Sequence, residues 1–351
     1  MDTNKKKILV VRFRQMGDAI LTTPLLNTIR KSFPDARIDF VLNERLASLF
    51  KGHPAISNII TFTDEERHNT LTYIKKVRNT VKSTRYDAII DMRSTPNTML
   101  FALFSPGTPL RIGIRKPYTQ GVFNHRMEAC SDNENMIDHN LSLAAPLNIW
   151  GQLDLQRDLS LAISDEEKQQ FRQKMEQAGI DFAKPVMLVG VTAKLRDKTW
   201  PDEYMAQTVK HLIKEYPGLQ LIFNYAPDKE EENARRMYGQ LGNPENIFIN
   251  LTAQSPRELA AMAANCDAYF GNEGGTRHIV HAMGKPSLVI CSPLASKKTW
   301  LPTATSIVAR GISASDILPT KGLTPVEQYR LITPAHVLPQ LRQFIADTLR
   351  L

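Results

Sequence analysis

A carboxylate that could act as a base lies in the first loop of the chain. The apolar segment 8–13 leads into Arg14-Gln15-Met16-Gly17-Asp18, and a helical pattern of apolar residues follows. The free amides and the dipole of a helix N-terminus favour the ionised form of a carboxylate. Asp18 could therefore accept the proton of an attacking sugar hydroxyl, although a plain helix cap would explain the same residue. Gly17 permits a close backbone approach or a positive φ.

A second loop, 271–278, has the composition of a phosphate-binding turn. It ends an apolar segment and opens a helix, so its glycine amides could hold a diphosphate while the neighbouring carboxylate binds sugar hydroxyls. The residues that could bind such a donor are Glu273, Gly274, Gly275, Thr276 and His278. The motifs of dinucleotide-binding folds and of P-loops are both absent from the sequence. A structural turn with an interior histidine remains an alternative.

Two more loops in the second half carry polar groups after apolar segments. Thr192, a candidate donor-binding residue, begins a basic loop in which Lys198 could neutralise a leaving diphosphate, unless the loop is merely solvated. Trp200 near its end is expected to pack in the interior, with a platform for an adenine base as the alternative. Asp228 follows the next apolar segment and could bind ribose hydroxyls or cap the helix that begins at Lys229.

These loops need strands and helices to position them, and the pattern along the chain predicts both. Apolar segments of strand length alternate with helical periodicity, for example over 19–33 and 71–83, which is typical of parallel sheets covered by helices. Pro24 should kink or restart the first of these helices. The predicted strands are 8–13, 38–42, 59–62, 87–92 and 111–114 in the first half, and 186–191, 219–225, 247–250, 268–271 and 287–292 in the second.

The alternation occurs twice, which predicts two α/β domains in the 351 residues. A polar stretch ends at Ser164, a plausible N-cap for the acidic helix start that follows it. We expect one domain over 1–160 and a second over 161–330. Residues 331–351 should form a terminal helix, opened by Thr333-Pro334, that packs back towards the first domain.

Composition restricts the class of protein. Lysine and arginine exceed aspartate and glutamate by 44 to 36, which favours an acidic partner. The basic residues are dispersed and no nucleic-acid-binding motif is present, so nucleic acid is not the expected partner. Three separated cysteines suggest neither disulfides nor a zinc site. Without a secretory signal or a long apolar stretch, we expect a cytoplasmic protein.

Four segments together resemble glycosyltransferase family 9, the ADP-heptose lipopolysaccharide heptosyltransferases. They are Ile8-Leu9-Val10-Val11-Arg12 followed by Met16-Gly17-Asp18; Tyr86-Asp87-Ala88-Ile89-Ile90-Asp91; Lys198-Thr199-Trp200-Pro201; and Gly271-Asn272-Glu273-Gly274-Gly275 with His278. The resemblance covers nearly the whole chain. It implies a GT-B architecture, in which two Rossmann-like doubly wound domains face each other across a cleft. The first domain would hold the acceptor and the second the nucleotide sugar.

The resemblance also implies a mechanism, an inverting single displacement that needs no metal and no cofactor. The aspartate that matches Asp18 would be the general base. The lysine matching Lys198 and the glycine turn with His278 would bind the diphosphate. The acid matching Asp228 would bind the ribose, and the acid matching Glu273 would contact the donor sugar, which is expected to be a heptose on ADP.

One loop departs from the family pattern. The family has Asp, then Thr or Ser, then Gly, where this chain has Glu273 and two glycines, so the carboxylate is one methylene longer and a hydroxyl is missing. The expected acceptor is a lipid-linked glycan met at the inner face of the cytoplasmic membrane. Arg14, Arg93, Arg111 and Arg115 would suit its acidic groups, unless they are solvated surface charges. A nucleotide-sugar-modifying enzyme of the epimerase kind is the alternative function.

Overall fold

The computed structural model describes residues 5–193 and 198–349. Contacts within the chain divide it into two units, Met1–Ala162 and Ile163–Leu351. The boundary expected from the sequence was 160/161. Each unit contains one six-stranded sheet, and all the strand pairs within each sheet are parallel. The predicted α/β class with two Rossmann-like units is therefore confirmed.

The sheet of the first unit has the order β3-β2-β1-β4-β5-β6. Its strands are β1 Lys7–Val11, β2 Arg37–Asn43, β3 Asn58–Phe62, β4 Ala88–Asp91, β5 Leu110–Ile114 and β6 His125–Met127. Its helices are α1 Met16–Ile20, α2 Thr23–Ser32, α3 Ala47–Phe50, α4 Asp64–His68, α5 Thr70–Thr84, α6 Pro96–Leu103 and α7 Met136–Ser142.

The sheet of the second unit has the order β12-β11-β10-β7-β8-β9. Its strands are β7 Val186–Gly190, β8 Gln220–Asn224, β9 Ile247–Phe248, β10 Ala268–Asn272, β11 Ser287–Ile290 and β12 Ala309–Ile312. Its helices are α8 Asp165–Gln177, α9 Asp202–Glu215, α10 Lys229–Gln240, α11 Pro256–Ala264, α12 Gly275–Ala282, α13 Lys297–Trp300, α14 Pro325–Leu331 and α15 Pro334–Thr348.

The strand order determines where each unit can hold a ligand. In the first sheet β1 lies between β2 and β4, and in the second sheet β7 lies between β8 and β10. The order of the strands reverses at these two positions. Loops that leave neighbouring strands there diverge and open a crevice beyond the carboxyl ends of the strands. The loops after β1 and β4, and those after β7 and β10, are therefore the expected ligand-binding loops.

The first helical segment is interrupted as Pro24 predicts. Helix α1 ends at Ile20, and α2 restarts at Thr23 with the proline in its first turn, where a missing amide proton costs nothing. Gly17 lies inside α1 and so has a helical backbone rather than a positive φ. None of the described helices is long and apolar enough to cross a membrane.

The terminal helix forms where it was predicted, and its apolar face is buried in the second unit. Val337, Leu341 and Phe344 are buried in the core cluster of the second unit, and the helix contacts α9. The expected packing towards the first domain stays a prediction. The apolar stripe completes the second core, in which Ile312 of β12 is also buried.

His53 makes the stability of the first unit depend on pH. Its ring is buried, Nδ1 accepts the amide proton of Ala55, and Nε2 lies 3.0 Å from the hydroxyl of Ser160. Burial lowers the pKa of His53 from 6.5 to about 4. Below pH 6.5 the unfolded chain binds a proton at His53 that the folded chain does not bind. This difference lowers the free energy of unfolding by about 3 kcal/mol as the pH falls to 4.

The variant His53→Asn should therefore show a flatter decline of unfolding free energy between pH 7 and pH 4 than the unmodified protein, because asparagine can still accept the Ala55 amide and does not titrate. Urea unfolding at the two pH values measures the difference. The same decline in both proteins would show that His53 is not the responsible group.

Candidate functional site

Asp18 lies in the first turn of α1 with most of its side chain buried. Arg12 donates to its Oδ1 atom at 3.0 Å, and Arg14 donates to the same oxygen at 3.1 Å. No group in the described part of the chain donates to Oδ2. Because two arginines fix one oxygen, the carboxylate is held in one orientation with its second oxygen available to accept a proton.

Arg12 connects this carboxylate to the loop after β4. Its Nη1 atom donates to the carbonyl of Met92 at 2.8 Å, and its side chain is buried. Burial lowers the pKa of Arg12 to about 10, against the opposing effect of the Asp18 charge. The guanidinium therefore remains charged at neutral pH. It ties together the two loops that meet where the strand order reverses.

A cavity of about 240 Å³ opens beside Asp18. Four cationic side chains and the carboxylate of Asp18 line it, so its wall is basic. The lining residues are Arg12, Arg14, Asp18, Met92, Arg93, Thr95, Ile114, Lys116, Cys130, Met136 and His139. Such a wall suits an acidic ligand that brings a hydroxyl towards the carboxylate.

Of the arginines predicted to bind the acceptor, Arg14 and Arg93 line the cavity and Arg115 does not. Arg115 is about half exposed and pairs with Glu128 at 2.6 Å. Arg111 donates to three carbonyls of nearby loops and supports them instead. Lys116, which the sequence analysis did not select, lines the cavity and donates to the carbonyl of Arg93 at 2.7 Å.

Asp91, at the end of β4, shapes the loop that carries Arg93. Its buried Oδ1 atom accepts the amides of Arg93 at 2.9 Å and Ser94 at 2.8 Å, and Ser94 adopts a φ of 50°. Burial raises the pKa of Asp91 from its ordinary value. Arg93 in turn donates to the carbonyl of Phe13 at 2.8 Å, so the loops after β1 and β4 are joined a second time.

The second unit places two predicted donor residues, Thr192 and Thr276, at neighbouring strand ends. Thr192 follows β7 and donates to Glu230 at 2.8 Å. Thr276, in the first turn of α12, accepts from Asn224 at the end of β8 at 3.0 Å. Lys198 is partly buried and follows Thr192 along the same loop, whose residues 194–197 lie outside the described part.

Asp228 occupies the N-cap position of α10, but its side chain makes no capping hydrogen bond. Its φ of 65° and ψ of −121° are strained for a residue with a side chain. Such strain costs about 1–3 kcal/mol and is concentrated at functional sites. The exposed carboxylate of Asp228 is therefore not explained by capping alone.

The glycine-rich turn has the predicted structure of a strand end followed by a helix. Gly274 is the N-cap of α12, and the helix begins at Gly275. The carboxylate of Glu273 accepts the amide of Ser292 at 2.9 Å, so the longer side chain reaches the loop after β11. The first amides of α12 have no partner within a helix, which is the property that suits such a turn to a phosphate.

His278 is buried in α12 next to the buried cation of Arg277. Its Nε2 atom lies 3.1 Å from Arg277, and within the described residues its Nδ1 atom has no hydrogen-bond partner. Burial, reinforced by the nearby charge of Arg277, lowers the pKa of His278 well below 6.5. The imidazole is therefore neutral at neutral pH. It would bind a diphosphate as a hydrogen-bond donor and not as a cation.

Asn272 connects the two central loops of this unit and was not singled out from the sequence. Its side chain accepts the amide of Trp200 at 2.7 Å and donates to the carbonyl of Gly190 at 3.0 Å. Trp200 itself is fully buried and donates to the carbonyl of Ile332, which confirms its predicted packing role. A side chain at Gly271 would lie 2.4 Å from the Gly190 carbonyl oxygen, so the two strands approach too closely for one.

Curated relatives and solved structures resemble the chain over most of its length. It is 23% identical to lipopolysaccharide heptosyltransferase 1 of Campylobacter coli, covering 81% of this chain and 83% of the relative. It is 23% identical to lipopolysaccharide heptosyltransferase 2 of Salmonella typhimurium, covering 97% and 99%. A family 9 glycosyl transferase structure from Veillonella parvula matches with a TM-score of 0.81 at 18% identity, covering 99% of both chains.

The structure of the ADP-heptose lipopolysaccharide heptosyltransferase II of Escherichia coli matches with a TM-score of 0.74 at 21% identity, covering 97% of this chain and 99% of that one. The likeness to these structures confirms the GT-B fold. The model of glycosyltransferase family 9 (heptosyltransferase) matches residues 74–316, which is more than half of the chain. The chain therefore belongs to glycosyltransferase family 9.

Proposed function

We propose that the protein transfers a heptose or a related sugar from an ADP-activated donor to a hydroxyl of the lipopolysaccharide inner core or a similar cell-surface glycolipid, with inversion and without a metal. One observation carries the proposal. The Asp18 carboxylate is fixed through one oxygen by two arginines and lines a basic cavity where the strand order reverses. A base and an acidic substrate are thereby brought to the same place.

In the proposed reaction, Asp18 accepts the proton of the acceptor hydroxyl as that oxygen attacks the anomeric carbon of the donor sugar. The new carbon–oxygen bond forms on the face opposite the diphosphate. The bond from the anomeric carbon to the diphosphate breaks, and its electron pair leaves with ADP. Because there is one displacement, the configuration at that carbon inverts.

The second unit supplies the groups for the donor. Lys198 and the amides of the glycine turn stabilise the charge that develops on the leaving diphosphate, and His278 donates a hydrogen bond to it. Thr192 and Thr276 lie at neighbouring strand ends of the same sheet. Asp228, held in a strained conformation, binds the ribose hydroxyls. Glu273 binds hydroxyls of the sugar, which its extra methylene allows it to reach.

The positive charge of the cavity wall indicates which class of acceptor binds there. Arg14, Arg93 and Lys116 give the cavity its positive wall, which suits a glycolipid core rich in acidic groups. Relatives of this chain are named lipopolysaccharide heptosyltransferases, which supports the same acceptor class. A lipid-linked acceptor would require the protein to work at the inner face of the cytoplasmic membrane.

Incubation with ADP-heptose, with and without a bacterial lipid-core extract, tests transfer against the epimerase alternative, which membership of a glycosyltransferase family already disfavours. We expect ADP to be released only when the extract is present, together with a glycolipid of higher mass. An altered nucleotide sugar formed without extract would contradict transfer and support the epimerase alternative. Binding of ADP without any turnover would indicate a binding protein.

Chelation provides a separate prediction. Transfer in excess EDTA should proceed at the rate measured without it, because side chains and backbone amides, and no metal, stabilise the leaving diphosphate in this scheme. Initial rates with EDTA, and after addition of magnesium or manganese, measure this. A loss of activity that either metal restores would contradict the metal-free mechanism.

A further inference from the structure

A cluster of three side chains lies at the wall of the cavity that contains Asp18 and has no part in the proposed transfer reaction. The side chains of Cys130, Glu134 and His139 offer a sulfur, a carboxylate oxygen and an imidazole nitrogen, and these atoms all lie within 4.8 Å of one another. The Nδ1 atom of His139 is 3.9 Å from a Glu134 oxygen. Cys130 and His139 also line the cavity that contains Asp18.

Local structure brings these three residues together. The chain turns after Ser131, where the Glu134 amide donates to the Ser131 carbonyl at 3.1 Å. Asn135 then caps helix α7 through its side chain, which accepts the Ile137 amide. The turn holds Cys130 close to Glu134, and the helix presents the buried ring of His139 to the same point.

We propose that Cys130, Glu134 and His139 bind one zinc ion at the wall of the cavity. A thiolate, an imidazole and a carboxylate are the ligands that zinc takes in proteins, and three protein ligands leave its fourth position to water. Zinc bonds of these types hold neighbouring ligand atoms roughly 3.3–3.5 Å apart. The His139–Glu134 separation of 3.9 Å exceeds this by about half an ångström, and the other separations are at most 4.8 Å. Rotation of the Cys130 and Glu134 side chains on their loop would bring the three atoms to bonding distance of one ion.

The zinc ion would be bound at the wall of the cavity and would take no part in the transfer step. The zinc proposal therefore does not depend on the proposed function. The ion would link the loop before α7 to the helix itself. The sequence did not suggest the site because a cysteine, a glutamate and a histidine at spacings of four and five residues match no common zinc motif. Only the turn at Ser131 and the start of α7 bring the residues together.

Cobalt(II), which replaces zinc and has visible absorption, is the probe. The full chain without a histidine tag is stripped with chelator, desalted and titrated with cobalt. We expect a thiolate-to-cobalt charge-transfer band that saturates at one equivalent and disappears when zinc is added. Cys130→Ser should abolish the band, and Glu134→Gln should weaken binding by at least about 10-fold.

Cys266→Ser is the matched control, because it removes a buried thiol that belongs to the second unit and not to the cluster, so it should leave the band unchanged. Circular dichroism of each variant checks that it is folded. Absence of the band in the unmodified protein would overturn the proposal. So would a band that persists in Cys130→Ser, or a cobalt affinity in Glu134→Gln equal to that of the unmodified protein. None of these readings requires sugar transfer, so they remain valid whatever reaction the protein catalyses.

Discussion

Replacement of Asp18 by asparagine should lower the rate of sugar transfer by about 10²-fold or more while the affinity for ADP stays nearly unchanged. Asparagine has almost the same shape as aspartate but cannot accept the proton of the acceptor hydroxyl. The nucleotide is assigned to the second unit, so its binding should not depend on this carboxylate. Initial rates with ADP-heptose and acceptor, and calorimetric titration with ADP, measure the two quantities.

The same substitution removes the negative partner of a buried cation, so stability must be measured beside activity. Arg12 would keep its bond to the Met92 carbonyl but lose its ion pair, and breaking a buried pair can cost about 3–5 kcal/mol. Thermal unfolding separates this effect from a loss of catalysis. Asp64→Asn, which alters an exposed ion pair in α4, is the matched control and should transfer sugar normally. Near-normal turnover in Asp18→Asn would remove Asp18 from the mechanism.

Replacement of Lys198 by alanine should reduce kcat/KM for the donor by about 10- to 100-fold, because a cation beside the leaving diphosphate stabilises the charge that appears as the bond breaks. Lys198→Arg keeps the charge in a different geometry and should recover part of the loss. Donor-dependent rates and ADP binding measure whether the lysine acts on binding, on departure of the leaving group, or on both.

Lys214→Ala is the control for Lys198→Ala, since it removes an exposed lysine from the last turn of α9. It should leave both the rate and the affinity unchanged. Equal donor kinetics in Lys198→Ala and the unmodified protein would show that this lysine does not contact the diphosphate. The wider assignment of the second unit to the nucleotide would then rest on the glycine turn.

The central strands could be predicted from the sequence because they are buried on both faces and so consist of continuous apolar residues. Ile8, Leu9 and Val10 of β1 are fully buried, for example. The edge strands β6 and β12 could not be predicted, because they are short and their residues are largely polar or small. Their sequences are His125-Arg126-Met127 and Ala309-Arg310-Gly311-Ile312. The core that the terminal helix completes could not be predicted either, since an apolar stripe does not say which core it covers.

The candidate site was predictable where it depends on neighbours in sequence. A carboxylate after β1 and glycines before α12 follow from local patterns. The side chains that complete the first cavity lie on segments distant from Asp18 along the chain, such as Lys116 and His139. No spacing rule connects them. The involvement of Arg12 in two loops is likewise a property of the folded sheet, because strands β1 and β4 are far apart in sequence and adjacent in space.

The close approach of Gly190 and Gly271 requires glycine at both positions for steric reasons. This requirement does not extend to the residues that follow the two strands. A methyl group at 190 would collide with the Tyr269 hydroxyl at 2.1 Å, and one at 271 with the opposite backbone, where Gly271 also has a φ of 141°. Mutant libraries selected only for a folded product should therefore still recover glycine at both positions. Side chains displayed beyond them, such as Glu273 and Thr192, are free of that requirement. Under the proposed function, new sugar specificities could thus be selected on an unchanged scaffold.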